Sequence, residues 1–85
     1  MDNQTIHLGN MIKRELKAQG RSVSWLARTI NMERSSIYKI FDRDSLDVGL
    51  LIRISIVMDH DFFLDVSKKM RDHYDDIIQM YLNFQ

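Results

Sequence analysis

Val23-Ser24-Trp25-Leu26-Ala27-Arg28-Thr29-Ile30-Asn31-Met32-Glu33-Arg34-Ser35-Ser36-Ile37-Tyr38-Lys39-Ile40-Phe41 reads as two short helices joined by a sharp turn. Leu26, Ala27 and Ile30 fall on one face of the first at helical spacing, and Ile37, Ile40 and Phe41 do the same on the second. Ala27 is small where two crossing helices come close. The chain must reverse within about three or four residues at Asn31, and Asn tolerates a left-handed backbone better than most residues with a side chain.

Winding the second helix at roughly 100° per residue separates its two faces. Counted from Arg34, the side chains of Tyr38, Ser35 and Lys39 lie within about 140° of arc, and Ile37, Ile40 and Phe41 lie on the other side. The apolar face belongs in a core. The other carries a guanidinium, a hydroxyl, a phenol and an ammonium, a donor-rich set suited to the acceptor-rich edges and phosphates of nucleic acid.

These positions resemble the helix-turn-helix of the phage-repressor/Cro-like (XRE) family of DNA-binding domains. Leu26, Ala27, Ile30, Asn31, Met32, Ile37 and Ile40 match its spaced small and apolar positions, and Phe41 to Phe63 resembles its last two helices. The resemblance covers residues 6–67. Two positions depart from the pattern: Asn31 stands where Gly is usual, and Glu33 stands where Ser, Thr or Asp usually caps the reading helix, Glu being the weaker cap. The implied fold is an all-α, compact five-helix lambda-repressor-like domain over 1–67, with an additional C-terminal amphipathic helix over 68–85.

Composition agrees with helices. Eighty-five residues at 45% hydrophobic content allow one small domain, and the chain has no Pro and three Gly. It has no Cys, hence no disulfide support and no thiol nucleophile; this is compatible with a reducing cytosol, and a cytoplasmic location is expected. No apolar run approaches the ~18 residues of a membrane span, and no leader pattern opens the sequence.

The formal net charge is zero, which counts against a DNA-binding protein until it is read by segment. From Lys13 to Arg43 eight basic residues face three acidic ones; from Asp44 to the end four basic face eight acidic. A basic half holding the reading helix and an acidic remainder are expected if one face meets phosphates. Ordinary solvated surface explains the same numbers.

Along the chain, Leu8, Met11, Ile12 and Leu16 mark a helix over about 6–19, ended by Gly20. Ser22 caps the helix at 23–30, leaving the Val23 and Ser24 amides free for a phosphate. Trp25 reads as a packing residue more readily than a DNA contact. The loop 42–46 matches the family segment that crosses the sugar-phosphate backbone, which implies phosphate contacts from Arg43 and Ser45. Asp47 caps a nearly all core-facing helix from Val48 to about Met58. Asp61 caps a short one over 62–66, with Phe62 and Phe63 closing the core.

The last segment puts Val66, Met70, Tyr74, Ile77, Ile78, Tyr81 and Phe84 on one side of a helix and polar residues on the other. It covers its own domain's core, forms a subunit seam, for which Met70, Tyr74, Ile77, Ile78, Tyr81 and Phe84 are the candidates, or, as a minor alternative, docks a target or a membrane surface. An acidic polar face argues against anionic lipid.

Nothing indicates catalysis. His7, His60 and His73 lack the spacing of a helical zinc site, Asp59-His60-Asp61 is explained by a cap and loop, and no phosphate loop or nucleophile motif occurs. No enzyme activity, cofactor, metal or small-molecule substrate is expected. The expected function is sequence-specific binding of double-stranded DNA by a homodimeric transcriptional regulator. Arg34 would read guanine, with Ser35, Tyr38 and Lys39 beside it, while Arg21, Ser22, Ser24, Arg43 and Ser45 would hold phosphates. The alternative is a protein-interaction module or antitoxin-like subunit on the same fold.

Overall fold

The computed structural model describes residues 6–83. It is all-α, with five helices: α1 (Leu8–Ala18), α2 (Val23–Thr29), α3 (Arg34–Phe41), α4 (Val48–Val57) and α5 (Phe62–Asn83). No helix among the described residues is long and apolar enough to cross a membrane.

Side-chain acceptors start most of these helices. His7 Nδ1 accepts from the Asn10 amide at 3.0 Å, Ser22 Oγ from Trp25 at 3.0 Å, and Asp47 Oδ2 from Leu50 at 3.1 Å. Asp61 Oδ1 does the same for Leu64 in the first turn of α5, at 3.0 Å. Each satisfies one amide that the helix itself leaves without a partner. Glu33, ahead of α3, makes no such bond.

Three helices end in one way. Gly20, Asn31 and Asp59 have φ of 69°, 57° and 50°. The residue after each returns its amide to a carbonyl five positions earlier: Arg21 to Leu16, Met32 to Ala27, His60 to Ser55. This is the Schellman arrangement, which closes a helix by one left-handed residue. Asn31 therefore makes the sharp turn between α2 and α3 that its side chain permits, and Asp59 makes an equivalent one between α4 and α5.

The core gathers Ile12 and Leu16 of α1, Leu26 and Ala27 of α2, Ile37, Ile40 and Phe41 of α3, Leu51 and Ile54 of α4, and Phe62 of α5, with Ile30 and Met58 from the helix ends. α3 packs on both α1 and α2. Two expectations fail here. Phe62 is fully buried but Phe63 is 39% exposed, because consecutive helical residues point about 100° apart and the body lies on one side of α5 only. Nor is α4 nearly all core-facing: Val48, Ile52 and Ile56 form an exposed stripe at four-residue spacing.

The larger correction concerns the C-terminus. The short helix at 62–66 and the separate helix from 68 are one continuous helix, so the boundary placed between 67 and 68 falls inside α5. Val66-Ser67-Lys68-Lys69-Met70 contains no Gly, Pro or left-handed residue to stop it. From Lys68 to Asn83 every residue is exposed, so the segment does not cover its own core. It stands out as an arm. The molecule measures 53 × 23 × 21 Å with a radius of gyration of 15.3 Å, against about 12 Å for a compact chain of this length.

Candidate nucleic-acid interface

The outward face of α3 is set by what lies behind it. Ile37 is fully buried, and Ile40 and Phe41 nearly so, which turns Arg34, Ser35, Tyr38 and Lys39 to solvent. The helix is pinned from behind by α1. A Cβ on Gly9 would lie 2.3 Å from the Ile40 carbonyl oxygen, so only glycine lets the two backbones meet at that distance. Tyr38 is 51% exposed, and its ring stands edge-on to Phe41 with 6.1 Å between centroids. Among the described residues Arg34, Lys39 and Arg43 have no acidic partner within ion-pairing distance. Their donors are open to a ligand.

The loop after α3 is anchored rather than loose. The Leu8 amide donates to Asp44 O at 3.1 Å and the Gly9 amide to Arg43 O at 2.9 Å. Two of the unpartnered amides at the start of α1 thus hold the backbone of this loop. Arg43 and Ser45 project from it to solvent, flanked by the exposed carboxylates of Asp42 and Asp44.

At the start of α2, the Arg21 guanidinium carbon sits 3.9 Å from the centroid of the Trp25 ring. This cation–π contact orients Arg21 and leaves its N–H edge available. Trp25 itself is half-buried against the core, in keeping with the packing role expected of it. Ser22 is exposed and Ser24 half-buried; the Ser22 oxygen accepts the capping bond, and its hydroxyl hydrogen remains to donate.

Residues that sequence reasoning left unassigned hold these parts in place. Arg53 of α4 donates from Nη2 to Ile30 O at 2.7 Å, tying the C-terminal end of α2 to α4. His60 is gripped between two carboxylates, with Nε2 2.6 Å from Asp65 Oδ2 and Nδ1 3.5 Å from Glu15 Oε1. Gln19 Nε2 donates both to Glu15 Oε2 at 2.9 Å and to Met58 O at 2.8 Å. Together they fasten α1 to the corner from which α5 leaves. The signals were present but ambiguous: a glycine inside a helical pattern, and one arginine in an otherwise uncharged helix.

The seam candidates lie apart from this face. Met70, Tyr74, Ile77, Ile78 and Tyr81 are between 37% and 69% exposed on the α5 arm, and Phe84 lies outside the described residues. Searches of protein-family models, of curated proteins and of solved structures find no match to this chain.

Proposed function

We propose that the chain binds double-stranded DNA in a sequence-specific manner and regulates transcription in the cytoplasm. The observation that carries this reading is the exposed set Arg34, Ser35, Tyr38 and Lys39 on a short helix whose opposite face is locked into the core. A helix of this width enters the major groove, where its outward donors meet base edges. The Arg34 fork takes O6 and N7 of guanine together. Ser35 and Lys39 reach neighbouring acceptors, and Tyr38 meets a thymine methyl or a phosphate. Arg21, Ser22, Ser24, Arg43 and Ser45 fix register through phosphates and carry no sequence information. The resemblance of residues 6–67 to the phage-repressor/Cro-like family supports the same reading. So does the basic excess between Lys13 and Arg43.

One reading helix offers few contacts, and a two-fold homodimer on a palindromic site doubles them. Selection of bound sequences from random DNA tests the proposal. Enrichment of a symmetric site with half-site centres about 34 Å apart is expected. Recovery of the input distribution refutes it.

The zero net charge and the apolar arm favour a second reading, a protein-interaction module or antitoxin-like accessory subunit on the same fold. Retention on non-specific DNA at low salt, lost at high salt, separates the two. A docking module alone shows no retention.

A further inference from the structure

Among the starts of the five helices, that of α3 breaks the pattern. His7, Ser22, Asp47 and Asp61 each accept a bond from an amide of the turn they open, and Glu33 accepts none. Its backbone is extended, with φ −79° and ψ 152°, as a capping residue requires. The position is right for a cap, and the side chain is one methylene too long. The Glu33 carboxylate is exposed and makes no hydrogen bond or ion pair among the described residues, not even with Arg34 beside it. The helix dipole favours a negative charge at this end, but Asp would supply that charge and the missing bond together. The dipole alone therefore does not account for Glu. Natural chains break such local rules chiefly at functional sites.

This start is the end of α3 that leads into the major groove in the proposed function. A carboxylate there is repelled by the phosphates on either side, and only a donor on a base offsets the repulsion. Guanine shows the acceptors O6 and N7, thymine shows the acceptor O4, and adenine sets its N7 acceptor next to its N6 donor. Cytosine presents the N4 donor with no acceptor of its own beside it. An ionised carboxylate accepts and cannot donate, so it is drawn to the cytosine edge and repelled by the other three.

We propose that Glu33 is a specificity-determining residue, its carboxylate accepting from N4 of a cytosine within one base step of the guanine held by Arg34. This rests on the entry of α3 into the major groove. The two neighbouring side chains are an acceptor and a donor, both without partners in the protein, and they match a cytosine and a guanine met together. Glu33 acts as much by exclusion as by attraction. On sequences lacking the cytosine, nothing offsets its repulsion from the phosphates, and α3 binds them less well.

Selection of bound sites from random DNA, run in parallel with the unsubstituted chain, E33A, E33Q and R34A, tests the assignment. Neither side chain makes a polar contact that the fold needs, and circular dichroism verifies that each variant is folded. The unsubstituted chain should select a cytosine within one step of the guanine whose preference R34A loses. E33A should keep that guanine and lower the preference for the cytosine by about fivefold or more, the low end for one base contact. E33Q, whose amide pairs with N6 and N7 of adenine together, should admit adenine at that position. Three results overturn the inference: no cytosine beside an Arg34-dependent guanine, a cytosine preference unchanged in E33A, or adenine still excluded in E33Q. An equal loss of preference at every position in E33A also overturns it, since Glu33 would then only set the helix. Each of these leaves the DNA reading standing. Where the unsubstituted chain itself returns the input distribution, the DNA reading fails and takes the role of Glu33 with it.

Discussion

Gly9 and Ile40 cross so closely that a Cβ on Gly9 would stand 2.3 Å from the Ile40 carbonyl oxygen and 2.4 Å from that of Phe41. Both obstacles are backbone and cannot rotate away. Replacing a helical glycine by alanine ordinarily stabilises, by up to about 1 kcal/mol in a helix interior. Here the sign reverses: G9A forces α1 off α3 and costs roughly 1–3 kcal/mol, as overpacking does. Urea unfolding followed by circular dichroism measures it. An unchanged or raised midpoint would show that the two helices separate without cost.

Asp59 carries the left-handed turn between α4 and α5 at φ 50°, where an L side chain is strained. Its amide donates to Ile56 O at 3.1 Å and the following His60 amide to Ser55 O at 3.0 Å, so the turn must keep this conformation. D59G relieves the strain and raises stability by up to about 1 kcal/mol, whereas D59A lowers it by about as much. Thermal melts of the two variants should move in opposite directions. Movement in the same direction would mean that the carboxylate, rather than the backbone, decides the effect.

The pair α2 and α3 with the turn between them was legible because its features are local. Asn31 is a turn former between two periodic apolar patterns, and Ile37, Ile40 and Phe41 share one face whatever surrounds them. Gly9 was not legible, since a glycine in a helical pattern signals close approach without saying to what. The arm shows a different limit. Periodicity gives the apolar side of a helix but not the surface it meets, so core cover and subunit seam look alike in the sequence, and the exposure of residues 68–83 removes only the first. The division into helices at 62–66 and 68–85 fails because Asp61 gives a legible start while Val66 to Met70 offers no residue that stops a helix.

Arg53 reaches from α4 to Ile30 O, at the end of α2 and one residue before the turn that delivers α3. R53M keeps the aliphatic stem and removes the donor. The loss should cost about 1 kcal/mol, near the ordinary value for one hydrogen bond because the pair is only partly buried. Amide exchange at Asn31 and Met32 should quicken more than at Ile12, in the core of α1. Uniform acceleration across the chain would show a global loss of stability instead of a local one.

Glu33 precedes α3 without capping it. E33S supplies an oxygen of the right reach for the Ser36 or Ser35 amide and should stabilise the chain by about 0.5–1 kcal/mol. It also removes a negative charge beside Arg34, so non-specific DNA affinity at low salt should rise. A stabilised variant with lower DNA affinity would place the Glu33 carboxylate in a favourable contact with DNA.

Arg34 and Arg43 are both exposed cations, and the proposed function gives them different work. Arg34, in the first turn of α3, faces a base; R34A should narrow the preference for the selected site over scrambled DNA by the 1–3 kcal/mol of a bidentate guanine contact. Arg43, on the loop held by the Leu8 and Gly9 amides, faces a phosphate. R43A should weaken binding to both DNAs about equally and reduce the slope of log affinity against log salt by about one. Titrations of each variant at several salt concentrations resolve the two effects. If R34A leaves the ratio of the two affinities where it was, α3 does not read bases through that side chain; if R43A leaves the slope where it was, the loop does not touch the backbone through that one.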